Sequence, residues 1–119
     1  MEEINLNNGV IIVVNDRTVP LAGDLYMVHL EIMAKVILDA GDSQLRRYCA
    51  GDELCMIRDL KKPAVLERDL DAVRSSMKDS FLATNLPYMD RPWFVNRFKA
   101  KMLNDFKEQE EKENRSSNK

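Results

Sequence analysis

Apolar residues recur at every second position from Tyr26 to Leu38, through Val28, Leu30, Ile32, Ala34 and Val36. The intervening set (Leu25, Met27, His29, Glu31, Met33, Lys35, Ile37, Asp39) is mixed, with polar groups at its centre. A period of two with one apolar and one mixed face predicts a long strand over 25–39, packed on a core by one side and partly wet on the other. Residues 25, 28, 32 and 36 also share a helical face, and Leu, Met, Glu, Ala and Lys favour helix, so a helix is the competing reading. Upstream, Val10-Ile11-Ile12-Val13-Val14 is a β-branched run between Gly9 and Asn15-Asp16. It predicts a buried strand that pairs antiparallel with the long one across a loose connection containing Pro20 and Gly23-Asp24. Residues 42–51 fit a short helix with Asp42 as its N-cap and Gly51 past its end, and Leu54–Asp59 a third, shorter strand.

The period then changes. Leu66, Leu70, Val73, Met77, Phe81 and Thr84 recur at spacings of three and four, with charges between them, which predicts an amphipathic helix with Pro63 at its start and Pro87 beyond its end. Asp90-Arg91-Pro92 introduces a second helix whose stripe is Phe94, Phe98, Met102 and Phe106, flanked by Val95 and Leu103. Strands first and helices last give an α+β domain: a small antiparallel sheet of two long strands and a shorter third, packed against two C-terminal amphipathic helices. From Lys107 to Lys119 there is no hydrophobic residue and eight of thirteen positions are charged. The chain therefore divides into a single domain, 1–106, and a charged tail, 107–119, expected to be a frayed helix end running into disorder.

With 119 residues, 45% hydrophobic and 32% charged, the chain suffices for one core and falls short of a two-domain enzyme. The net charge of −2 gives no overall attraction to nucleic acid or an anionic membrane. Its distribution is uneven, because residues 1–60 hold 5 basic and 10 acidic groups whereas residues 61–119 hold 13 and 10. The acidic start lacks the features of a secretory signal, and no stretch reaches the roughly 20 apolar residues of a membrane-spanning helix. Two cysteines, Cys49 and Cys55, make no disulfide framework, so a reducing cytoplasm is the expected location.

No catalytic, cofactor or metal site is expected. His29, the single histidine, lies in mid-strand near Glu31, where a cross-strand polar pair accounts for it. Cys49 and Cys55 are separated by five residues, outside zinc-knuckle and redox spacings, and read as buried free cysteines that behave as small hydrophobes. Asp39, Asp42, Asp52 and Glu53 lack calcium-loop spacing and read as turn and cap residues. Phosphate-loop, dinucleotide and nucleophile-elbow motifs do not occur. The methionines follow apolar patterns and read as adaptable packing.

One stretch combines basic and aromatic residues: Arg91, Trp93, Arg97, Lys99 and Lys101, with no acid between Asp90 and Asp105. Such side chains hold phosphates and stack bases, although Phe94 and Phe98 belong to the helical stripe. The leading functional expectation is a non-enzymatic interaction module that forms a homodimer or docks on a protein through a strand edge or the C-terminal helix, because a strand of about fourteen residues with a mixed face needs cover. A nucleic-acid-associated regulator using residues 91–101 is the alternative. A small-molecule enzyme using His29 and Glu31 as acid and base is a third.

Overall fold

The computed structural model describes residues 2–49 and 51–117, and of Ser116 and Ser117 only the backbone. Five strands precede two long helices: β1 (Glu2–Asn5), β2 (Ile11–Asp16), β3 (Val19–Ala22), β4 (Leu25–Ile37), a single helical turn α1 (Ser43–Arg46), β5 (Glu53–Leu66), α2 (Leu70–Met89) and α3 (Phe94–Ser117). The α+β reading from the sequence holds, and 25–37 is a strand rather than a helix. β4 is the axis of the sheet. It pairs antiparallel with β2 and β3 along one edge and with β5 along the whole of the other, while β1 extends the sheet beyond β2.

The alternation in β4 sorts the two faces. Val28, Leu30, Ile32, Ala34 and Val36 are buried, and from Ile32 on they join Val10, Ile12, Val14, Leu38, Leu45 and Leu54 in one cluster with Met89, Phe94 and Phe98 of the helical layer. The odd-numbered residues of β4 contribute nothing to that cluster. One helical layer on one sheet face gives a molecule 23 Å thin against 50 and 43 Å in its other dimensions.

Several local expectations are corrected. The third strand is not short: β5 has 14 residues, one more than β4, because pairing along β4 draws Leu60–Leu66 into the sheet. Pro63 consequently sits in β5 and not at a helix start, opposite a register break at Tyr26–Val28, where Ala64 takes φ +57°. That geometry is a β-bulge, one of the few strand settings that tolerate proline. The connection before β4 contains a strand of its own, β3, joined to β4 by the Gly23-Asp24 turn; Gly23 has φ +57°, a conformation glycine adopts without steric cost. β1 was unmarked because Glu2 and Glu3 obscure its single inward residue, Ile4, which packs on the core.

The helices also differ in their limits. Leu66 ends β5, a 3-10 turn covers Glu67–Asp69, and Pro87 lies inside the last turn of α2. There it removes one backbone donor, and the helix stops two residues later. The predicted helix over 42–51 shrinks to α1, and Asp42 makes no side-chain cap bond to it. Residues beyond Phe106 do not fray at once: α3 runs to Ser117, held near its middle by Tyr48, whose ring stacks on Phe106 at 5.0 Å and whose hydroxyl donates to Glu110 at 2.6 Å. The expected disorder is thus corrected as far as Ser117; Asn118 and Lys119 lie outside the described residues.

The β1–β2 turn is tied to the helical layer. Asn8 donates through Nδ2 to the carbonyls of Met89 and Arg91, at 2.7 and 3.0 Å, and accepts from the Val10 amide at 3.1 Å. The first bond satisfies the carbonyl of the last residue of α2, which the helix itself leaves without a donor, and the second adds to the Phe94 amide already on the Arg91 carbonyl. Leu54→Ala, at a position only 1% exposed, is expected to cost about 3 kcal/mol in a urea unfolding measurement. Ile37→Ala, at 58% exposure on the opposite face, should stay within about 0.5 kcal/mol of the wild type.

Candidate interaction surface

The odd-numbered face of the sheet is built from three strands in register. Val13 stands beside Met33 and Met33 beside Ile57; one step along, Ile11 lies beside Lys35 and Lys35 beside Cys55. An apolar band therefore crosses the face, from Val13 at 3% exposure to Ile57 at 53% on the outer strand, and Ile37, one step past Lys35, is 58% exposed. Polar pairs border the band. On one side Glu31 accepts from Asn15 at 3.3 Å and from Arg17 at 3.4 Å, and His29 Nε2 lies 2.7 Å from Asp59 Oδ1. On the other, Lys35 stands 3.8 Å from Glu53. His29 is thus in a cross-strand polar pair, as expected, but with Asp59 of β5 and not with Glu31.

The edge of β5 that faces away from β4 pairs with no strand among the described residues. Leu38 N–H donates to the Asp52 carbonyl at 2.7 Å, which fixes the phase of the β4–β5 ladder. Because bonded and non-bonded positions alternate in antiparallel strands, even-numbered β5 residues exchange bonds with β4 from Leu54 to Lys62. The amides and carbonyls of Glu53, Cys55, Ile57, Asp59 and Lys61 point outward. The bulge at Pro63–Ala64 ends this open edge.

The side chains of residues 91–101 do not all lie together. Phe94 and Phe98 are in the core at 5% and 6% exposure. Trp93 and Arg97 do come together, the guanidinium 4.4 Å from the ring centroid, with Tyr88 packed edge-on against Trp93 at 5.0 Å. Lys99 turns the other way and reaches Asp42 at 2.7 Å and Asp39 at 3.7 Å, while Lys101 pairs with Asp105 at 3.5 Å along the helix. Arg91 is exposed, and its carbonyl accepts from Asn8. Three of the acidic residues named from sequence are turn residues with basic partners nearby: Asp39 accepts from the Gly41 amide, Asp42 accepts from the Asp39 amide, and Asp52 pairs with Arg46; the fourth, Glu53, is not a turn residue but opens β5, because pairing with Ile37 draws it into the sheet. Sequence spacing had no means of joining Lys99 to residues nearly sixty positions earlier.

Burial raises both cysteine thiols above their ordinary value, which keeps Cys49 and Cys55 protonated and poorly nucleophilic at neutral pH. Among the described residues no group of three or more His, Cys, Asp or Glu is placed to hold a metal ion, and no helix is long and apolar enough to cross a membrane. Neither a family model, a curated protein nor a solved structure matches this chain.

Hydrogen bonding from Lys99 and from the Asp39 amide holds the Asp42 carboxyl below its ordinary value of 3.8. A carboxyl depressed by folding contributes stability that is complete above the unfolded value and is lost as pH falls from there through the folded one. Urea midpoints collected from neutral pH to below 3.8 should therefore show a shallower acid loss in Asp42→Asn than in the wild type. The variant should also be less stable at neutral pH, by about 1 kcal/mol.

Proposed function

We propose that this chain is a non-enzymatic protein-interaction module that associates with itself. The observation that carries the reading is the open edge of β5, a row of outward backbone donors and acceptors from Glu53 to Lys61. Such a row is a template for another strand, and proteins that stay monomeric usually shorten, cover or twist it away. Here the bulge at Pro63–Ala64 closes the far end, and the open stretch carries exposed charges of both signs, Glu53, Arg58, Asp59 and Lys61, which oppose a random partner but suit one of complementary charge order. The neighbouring exposed Ile37 and Ile57 lie on a sheet face that has no helical layer, and a second chain offers cover for such groups. Two unpaired thiols of low reactivity accord with a reducing cytoplasm. Sedimentation equilibrium over micromolar concentrations is expected to give a mass of twice 13.8 kDa; a strictly monomeric mass would remove the reading.

A second reading is kept by one observation, the Tyr88–Trp93–Arg97 cluster, in which Tyr88 and Trp93 are 52% and 39% exposed. A ring with a guanidinium stacked on it resembles the platforms on which single-stranded bases lie. Against it, Lys99 is already neutralised by Asp39 and Asp42. Trp93 is the single tryptophan, so its emission reports on this cluster alone. Titration with a single-stranded oligonucleotide at low salt is expected to leave that emission unchanged. Salt-sensitive quenching that disappears in Arg97→Glu would put the second reading in place of the first.

A further inference from the structure

The self-association proposed above acquires a specific geometry from the charge order of β5, on which the following argument rests. The open edge runs from Glu53 to Lys61, and its midpoint is Ile57. We infer that two copies of this chain join their β5 edges antiparallel about a two-fold axis at Ile57, continuing both sheets as one.

In that register each residue stands opposite the one whose number completes a sum of 114. Glu53 meets Lys61 of the partner and Lys61 meets its Glu53, so opposite charges coincide at both ends. Ile57 meets its own copy, and Leu54 meets Leu60 on the helix-side face. Lys61 has no ion-pair partner among the described residues of its own chain, and the Glu53 side chain is 52% exposed although 3.8 Å from Lys35. Neighbouring registers are worse. Moving the axis to Arg58 sets that guanidinium against itself and Leu54 against Lys62; moving it to Met56 sets Glu53 against Asp59. Like charges placed directly opposite destabilise a strand pair, whereas opposite charges and apolar pairs stabilise it.

The backbone phase agrees with the side chains. Glu53, Cys55, Ile57, Asp59 and Lys61 are the residues whose amides and carbonyls point outward, and they are the ones that this register pairs with one another. Two bonds for each of those five residues give about ten new backbone hydrogen bonds. A two-fold axis perpendicular to the sheet also keeps both helical layers on the same side. Beside the edge, a groove of about 490 Å³ lined by Leu60, Met77 and Phe81 lies between β5 and α2, and the incoming strand would run along it.

Sedimentation equilibrium on the full chain tests the arrangement with four proteins. Lys61→Glu and Glu53→Lys should each weaken the dimer roughly tenfold or more, because both end pairs become repulsive. An equimolar mixture of the two should recover dimer, since every Glu then faces a Lys, and recovery also shows that both variants are folded. Ile57→Pro removes an outward N–H that β4 does not use and is expected to be monomeric with an unchanged circular dichroism spectrum. Wild-type dimer with both charge variants or Ile57→Pro equally dimeric would overturn the β5 register while leaving self-association standing. Charge variants that stay monomeric when mixed would also overturn it. A monomeric wild type would remove self-association and register together.

Discussion

The structure depends on β4 being paired along both of its edges. Its odd-numbered residues bond towards β2 and β3, as the Arg17 N–H to His29 carbonyl bond of 2.7 Å shows, and its even-numbered residues bond towards β5. A strand bonded on both sides leaves none of its backbone polar groups to be satisfied by solvent, which is what allows Val28 to Val36 to be buried beneath helices. Thirteen residues in one strand then dictate the length of β5 beside it.

The helical layer is subordinate to this sheet. α2 and α3 cover the even face through Phe81, Met89, Phe94 and Phe98, and their junction is anchored by Asn8 at the opposite end of the chain. Ion pairs such as Arg74 with Asp16 and Lys78 with Glu2 join α2 to the strands from the rim. Burial tends to push the Asp16 carboxyl up, but hydrogen bonds from Thr18 and Arg74 outweigh it and hold the group below its ordinary value. With two helices committed to one face, the outer edge of β5 has no strand beside it and the odd-numbered residues of β4 stay outside the core cluster, among the described residues.

This asymmetry gives the functional reading its form. The thiols are protonated, the histidine is engaged with Asp59, and the acidic turn residues have basic partners. In the proposed dimer it is the backbone edge of β5 that a second chain would complement, in both hydrogen bonding and charge order.

The class of the fold, the strand at 25–37 and the two amphipathic helices were legible because each writes a regular period into the chain: two in β4, three to four in α2 and α3. His29 as a polar strand residue was legible for the same reason. The length of β5 was not, because Arg58, Asp59, Lys61 and Lys62 are exposed on an edge strand, where burial imposes no alternation on residue type. Pro63 reads locally as a breaker, and only pairing with β4 accommodates it in a bulge. The continuation of α3 past Phe106 likewise depends on Tyr48, and the fate of Lys99 on Asp42, contacts between residues far apart in the chain. Periodicity records how each element meets a core, so sequence alone determined the elements that have a core-facing side; tertiary structure decided the edge, because an edge is defined by the neighbour it lacks.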